Sequence, residues 1–207
     1  MRILMEKKKF QELAVRTESI VDEINVGVRD GLGFLSALQS YIHITEVLDS
    51  YKKHIFYGKP LDREYVANSL RSAEVCADMA SEHISMDEQV RDGTLNMDPR
   101  IFHALLGTIT EHGEIAEAME KALMGRQELD LVNVCEELGD SDWYKALFYE
   151  ATGINWDNVQ DMIIKKLEIR YADKIFTDGE AKIRNLIAER DLLDAMIKGA
   201  VDEYSNR

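Results

Sequence analysis

Glu111 and Glu114 stand three residues apart in the stretch HALLGTITEHGEIAEAMEKAL, and Glu137 and Asp140 stand three apart in DLVNVCEELGDSDWYKALFYE. That spacing puts both members of a pair on one side of a helix. Two antiparallel helices joined by the short stretch between them could therefore bring four carboxylates together. Charged residues make up 31% of the chain, so an E-x-x-E by itself says little. The surroundings say more. On a helical wheel Glu111 falls between Ala104, Ala118 and Ala122, and Glu137 between Tyr144 and Phe148, so both are expected to point toward a neighbouring helix. Carboxylates converging in a partly apolar crevice repel one another and lose hydration, which calls for compensating cations. Hard divalent ions with oxygen ligands fit that need, Mg²⁺ above all and Mn²⁺ as a substitute. The competing reading is a pair of acidic helix faces in solvent.

The elements that must position these groups are helical. Only 2 prolines and 12 glycines in 207 residues, with 45% apolar residues and abundant Leu, Ala, Glu, Lys and Met, point to an all-α protein with a proper core. No stretch is long and apolar enough to span a membrane, and the charged start MRILMEKKKF lacks the following apolar segment of a secretory signal, so a cytoplasmic protein is expected. Cys76 and Cys135 have no C-x-x-C or Cys/His spacing, which speaks against a disulfide or zinc site. A formal charge of −14 argues against a general nucleic-acid binder, though not against a nucleotide whose charge is met by metal ions.

Taken in order, residues 4 to 27 read as a first helix with Phe10, Leu13, Ile20 and Ile24 as its buried stripe. Gly31 and Gly33 mark a break before a second helix from Phe34 to Phe56. Asp62 caps a third that ends near His83, and Asp98 followed by Pro99 starts a fourth that runs to about Met124. Asp130 caps the fifth and Asn155 a sixth through Lys165 to Arg170, with a last charged helix after Thr177 to Gly179. The expected domains are 1–95 and 96–207, with the seam near 91 to 97.

Shifting the chain by 68 residues places Leu38, Glu46, Lys53, Leu61, Asp62, Val66, Leu70 and Glu82 on identical residues at 106, 114, 121, 129, 130, 134, 138 and 150. No gap is needed and the two Asp caps coincide, which favours an internal repeat over two unrelated hairpins. The acidic set decays in the first copy: His43 faces Glu111, Glu46 faces Glu114, Ser69 faces Glu137 and Ser72 faces Asp140. Residues 34 to 83 and 101 to 152 are thus expected to be similar hairpins packed as a pseudo-dimer.

E-H-G-E at 111 to 114 followed by E-L-G-D at 137 to 140 resembles the E-x-x-E … E-x-x-D signature of the MazG-like all-α nucleoside triphosphate pyrophosphohydrolases. The resemblance runs from His103 through Asp142-Trp143-Tyr144 to KKLEIRYADKIF at 165 to 176. It implies a Mg²⁺-dependent hydrolysis of a nucleoside or deoxynucleoside triphosphate to the monophosphate and pyrophosphate. Glu111, Glu114, Glu137 and Asp140 are then the metal ligands, or one glutamate is the general base. It also implies a site built at the junction of helical repeats, either between protomers or within a fused chain, and a homodimer is expected. Other readings are hydrolysis of a phosphoribosyl-nucleotide or an alarmone, or an idle helical module that binds a nucleotide or partner.

Around the quartet, Lys166, Arg170 and Lys174 share a helix face at four-residue steps; they suit triphosphate binding or pairing with carboxylates equally. The family often has asparagine where this chain has Ile163. Glu117 reads as a surface pair with Lys121, Glu136 and Asp142 as solvated, and His112 as a partly buried core histidine. Trp143, Tyr144 and Phe148 could stack on a base, but at helical spacing they read more readily as core.

Overall fold

The computed structural model describes residues 7–19, 25–85, 92–94, 97–125, 127–171 and 186–205. Among them run seven α-helices: α1 (Lys7–Ala14), α2 (Val28–Tyr57), α3 (Arg63–Ser85), α4 (Pro99–Leu123), α5 (Leu131–Thr152), α6 (Trp156–Arg170) and α7 (Leu186–Ser205). The fold is all-α. A 3-10 turn (Val15–Thr17) follows α1, and two three-residue strands, β1 (Asn25–Gly27) and β2 (Asp92–Thr94), pair antiparallel with Val26 opposite Gly93. No described helix is long and apolar enough to cross a membrane.

The chain divides into two compact units, Glu23–Asn96 and Met1–Asp22 with Met97–Arg207. In the first, α2 and α3 form a hairpin, and the β1/β2 ribbon pairs the segment leading into α2 with the segment after α3. Gly31 and Gly33 do not break a helix as expected from sequence; they lie inside α2, which starts at Val28. A Cβ on Gly33 would stand 3.3 Å from Ile84 Cγ1 and 3.6 Å from the Ala80 carbonyl, so glycine permits close approach of α3. The seam continues through small residues: Ser36, Ser69 and Ala73 are buried, and Ser40 Oγ donates to the Ala73 carbonyl at 2.8 Å. Gly58, at φ 60°, ends α2, and Asp62 Oδ1 accepts from Tyr65 N at 2.9 Å to start α3.

In the second unit α4 and α5 make the corresponding hairpin, α1 lies on α5, and α6 pairs with α7. The long first helix expected over residues 4 to 27 is a correction. The helix closes at Ala14, Glu18 is extended at φ −62° and ψ 134°, and Asn25–Gly27 is strand. Phe10 and Leu13 are half-buried, whereas Ile20 and Ile24 lie outside the described residues. The expected 1–95 half is corrected in the same place, because α1 belongs with the C-terminal helices. Three contacts hold it and the turn after it there: Gln11 Nε2 donates to Glu150 Oε2 at 3.0 Å, Trp143 Nε1 donates to the Ala14 carbonyl at 2.8 Å, and Arg100 grips Glu18 through Nε and Nη2 at 2.6 and 2.8 Å. The Arg100–Glu18 pair is two-pronged, with Glu18 almost wholly buried.

Candidate functional site

The α4/α5 hairpin is fixed at its ends by residue types suited to the task. Asp98 Oδ1 accepts from Arg100 N and Ile101 N with Pro99 in the first turn, and Asp130 Oδ1 accepts from Val132 N and Asn133 N. Gly153, at φ 70°, closes α5, and Asn155 caps α6 through Asn158 N. Between these ends a seam of small residues sets the spacing of α4 and α5. Ala104, Gly107 and Ala118 of α4 and Ser141 and Ala146 of α5 are all buried. At Gly107 the helix backbone lies directly against the Tyr144 ring, which occupies the space a Cβ would need.

This seam carries Glu111 and Glu137 inward. Glu111 is 8% exposed and Glu137 5%, and one carboxylate oxygen from each lies within 4.8 Å of the others in a cluster completed by Asp140. Among the described residues this is the one group of three or more acidic, His or Cys side chains so arranged. The register is antiparallel: Gly107 meets Tyr144, and four residues on along α4 Glu111 meets Asp140, four residues back along α5. Glu114, the fourth expected member, is exposed and outside the cluster. The buried seam steps from Gly107 to Glu111 to Ala118, and the three-residue step to Glu114 rotates it off that line toward solvent.

Burial raises the Glu137 carboxyl above its usual range, helped by the hydrogen bond its protonated form donates to Glu111 and by the Glu111 charge, and opposed by Asn133, whose Nδ2 donates to Glu137 Oε1 at 2.6 Å. Thr110 Oγ1 donates to the Gly107 carbonyl at 2.8 Å and lies 3.4 Å from Glu111 Oε1. The Tyr144 hydroxyl is pushed up by burial and then by the negative charges of Glu111, Asp140 and Glu114, so Glu114 acts on the site electrostatically although it stands at its edge. Glu111, Asp140, Trp143 and Tyr144 line a cleft of about 310 Å³. His103, Trp143 and Tyr144 pack edge to face at centroid distances of 5.0–5.9 Å.

The other candidates separate from this centre. Arg170 makes a two-pronged ion pair with Glu189 of α7, at 3.1 and 2.7 Å, and the Glu189 side chain is 4% exposed. It fastens α6 to α7. Lys166 is half-buried on α6 and, like Arg170, is not among the described residues lining the cleft. Lys174 lies outside the described residues; the helix that carries Lys166 and Arg170 ends at Arg170, with Tyr171 at φ −124° and ψ 86°. His112 is exposed, a correction to the core position expected for it, since the seam passes through Glu111 and leaves its neighbour facing out. Glu117 pairs with Lys121 as expected of a surface pair, and Asp142 pairs with Lys145 at 3.1 Å.

Some site residues carry no sequence signal strong enough to single them out. Asn133 could have been found, standing one helical turn before Glu137 with an amide suited to a carboxylate. The anchoring of Trp143 to Ala14 and Thr17 could not, because it joins residues about 130 apart.

No protein family, curated protein or solved structure matches the chain. The donor set itself therefore has to decide whether a metal fits. It consists of carboxylate oxygens only, two from buried residues, on rigid helices, with like charges close enough to raise one carboxyl. A small hard divalent cation suits oxygen donors of this kind and relieves that repulsion.

Proposed function

We propose that the chain hydrolyses a nucleoside or deoxynucleoside triphosphate to the monophosphate and pyrophosphate, with Mg²⁺, or Mn²⁺ in its place, held by Glu111, Glu137 and Asp140. The observation that supports this most directly is the convergence of those three carboxylates, two of them buried, beside an open cleft. The spacing shared with the MazG-like hydrolases supplies the reaction class. Bound there, a divalent ion would offset charge on the phosphate oxygens and help orient the attacking water.

The chain's own residues have separable tasks in this reading. Asn133 holds the Glu137 carboxylate in one orientation, and the α4/α5 seam keeps Glu111 opposite Asp140. Glu114, at the edge, is a further ligand or the base that takes the proton from water. Trp143 and Tyr144 wall the cleft. With Arg170 bound to Glu189, Lys166 and Lys174 are the candidates for contact with the triphosphate. The α2/α3 hairpin is a degenerate copy of the α4/α5 hairpin, the enzyme is a cytoplasmic homodimer, and nucleic acid and membrane are not its partners.

A second reading is a metal-free carboxyl pair with a structural role, favoured by the hydrogen bond that Asn133 donates to Glu137 and the one that the protonated Glu137 carboxyl donates to Glu111. One set of variants separates the two. Pyrophosphate release should be screened over the common NTPs and dNTPs with Mg²⁺ or Mn²⁺, then repeated on Glu111→Gln and Glu137→Gln alongside metal-free melting. The hydrolase reading expects activity to fall by orders of magnitude with metal-free stability level or higher. Near-normal activity together with a large loss of metal-free stability would overturn it in favour of the structural pair.

A further inference from the structure

A second groove, of about 370 Å³, lies between α1 and α5, with Phe10, Leu13 and Thr17 on one side and Gly139, Asp140 and Trp143 on the other. It shares Asp140 and Trp143 with the carboxylate cleft, so the two openings meet at one helical turn of α5. One end of this combined surface is anionic and suited to metal and phosphate. The other is apolar and aromatic, and its volume is at the small end of the range for ligand pockets, roughly 300–1,000 Å³.

The polar atoms of the groove are already committed. The Trp143 N–H donates to the Ala14 carbonyl at 2.8 Å and lies 3.1 Å from Thr17 Oγ1, and the Thr17 hydroxyl donates to the same carbonyl at 3.0 Å. These bonds lock the indole in place, and they use the donors that could otherwise read the edge of a base. What is left to a ligand is apolar surface and the Asp140 carboxylate.

We infer that the α1/α5 groove takes the nucleobase of the triphosphate whose phosphates lie at the carboxylate cluster, holding it by apolar and aromatic contact rather than by reading its edge. This rests on the hydrolase reading above and adds to it a base subsite built by the N-terminal helix. It makes the site tolerant of base identity: the α1 wall supplies affinity for any flat ring and little discrimination among rings.

Gly139 gives a direct test. It stands within α5 in the wall of the groove, and a Cβ built on it meets nothing within 4 Å. Gly139→Leu therefore puts a side chain into open space while replacing a poor helix former by a good one, so the variant is expected to fold at least as stably. Binding is measured on the full chain with Mn²⁺, using α,β-imido analogues of the four common dNTPs, with inorganic tripolyphosphate as the probe that has no base. The wild type should bind every analogue at least tenfold more tightly than tripolyphosphate, with the four bases within about tenfold of one another. Gly139→Leu should erase that advantage and leave tripolyphosphate binding within about twofold. Phe10→Ala, which removes apolar wall instead of filling the groove, should weaken the analogues alone. Equal affinity of wild type for analogue and tripolyphosphate overturns the base subsite, as does Gly139→Leu weakening both probes alike or neither. A spread among bases far beyond tenfold overturns the claim of tolerance. If neither probe shows Mn²⁺-dependent binding, the hydrolase reading fails and the base subsite with it.

Discussion

Gly107→Ala adds one methyl group at the closest approach of α4 to the cleft wall. The new Cβ would stand 2.1 Å from Tyr144 Cε1 and 2.3 Å from Cδ1 and Cζ, against the roughly 3.5–4.0 Å of ordinary carbon contact. About 1.4 Å of separation has to appear. The Tyr144 ring has little freedom to supply it, since its edges meet His103 at 5.5 Å and Trp143 at 5.0 Å, and Trp143 is itself tied to Ala14. Overpacking of this kind costs about 1–3 kcal/mol, and a gap this large belongs near the top of that range. Replacing glycine by alanine inside a helix returns about 1 kcal/mol. The expected net loss is about 2 kcal/mol by urea unfolding, with weaker Mn²⁺ binding because Tyr144 moves against Glu111 and Asp140. In a Tyr144→Ala background the clash is gone, and the same substitution should stabilise by about 1 kcal/mol. The coupling between the two sites is therefore about 3 kcal/mol. Additive effects within about 0.5 kcal/mol would refute the argument that this ring sets the distance between α4 and α5.

Three further outcomes are expected. The raised Glu137 carboxyl contributes stability that is fully present below its unfolded pKa and is lost as pH rises through the folded one, so the metal-free protein should melt lower as pH climbs above the carboxylate range; Glu137→Gln should flatten that slope, and Mg²⁺ should raise the wild-type melting temperature much more than the variant's, which melting against pH with and without chelator will show. Arg170→Ala removes the two-pronged pair with the buried Glu189 carboxylate and should lower stability, measured by urea unfolding; full stability with a raised KM would instead assign Arg170 to the triphosphate. Trp143→Phe keeps an aromatic wall but removes the bond to the Ala14 carbonyl, so it should cost about 1 kcal/mol and speed amide exchange in α1 relative to α4.

How much of this was legible in the sequence depends on whether the cause was local. The helix starts at Asp98-Pro99, Asp130 and Asn155 follow from side chains that serve amides two or three residues away, and each is found at its expected place. The inward turn of Glu111 and Glu137 was also readable, because alanines and aromatics at helical spacing mark the buried stripe. What failed was decided at long range. Gly33 reads as a breaker until Ile84 and Ala80 are seen against it, and residues 4 to 27 read as one helix until Glu18 is found extended and held by Arg100, 82 residues on. On the face shared by Lys166, Arg170 and Lys174 the spacing leaves phosphate binding and carboxylate pairing equal, and for Arg170 the structure shows the pair, with Glu189, 19 residues on.

The two hairpins, set side by side, bear on why the carboxylates are there at all. At the shift of 68 residues α3 begins at Arg63 and α5 at Leu131, and in the first hairpin the contacts gather on Glu46, the counterpart of Glu114, rather than on the positions that cluster in the second. His43 Nδ1 lies 3.3 Å from Glu46 Oε2, and Ser69 Oγ reaches the same oxygen at 3.5 Å. Ser69 and its counterpart Glu137 are equally buried, at 5% exposure each. A hairpin of this length and seam therefore packs with a small neutral hydroxyl where α5 has a carboxylate. The fold does not require the charge. In the α2/α3 hairpin the one acid, Glu46, lies within reach of a histidine and a hydroxyl, whereas the described ion pairs of the α4/α5 hairpin engage neither Glu111 nor Glu137. Retaining buried like charges where a serine would serve is costly for stability alone, and an ion that balances them from outside the chain accounts for that cost.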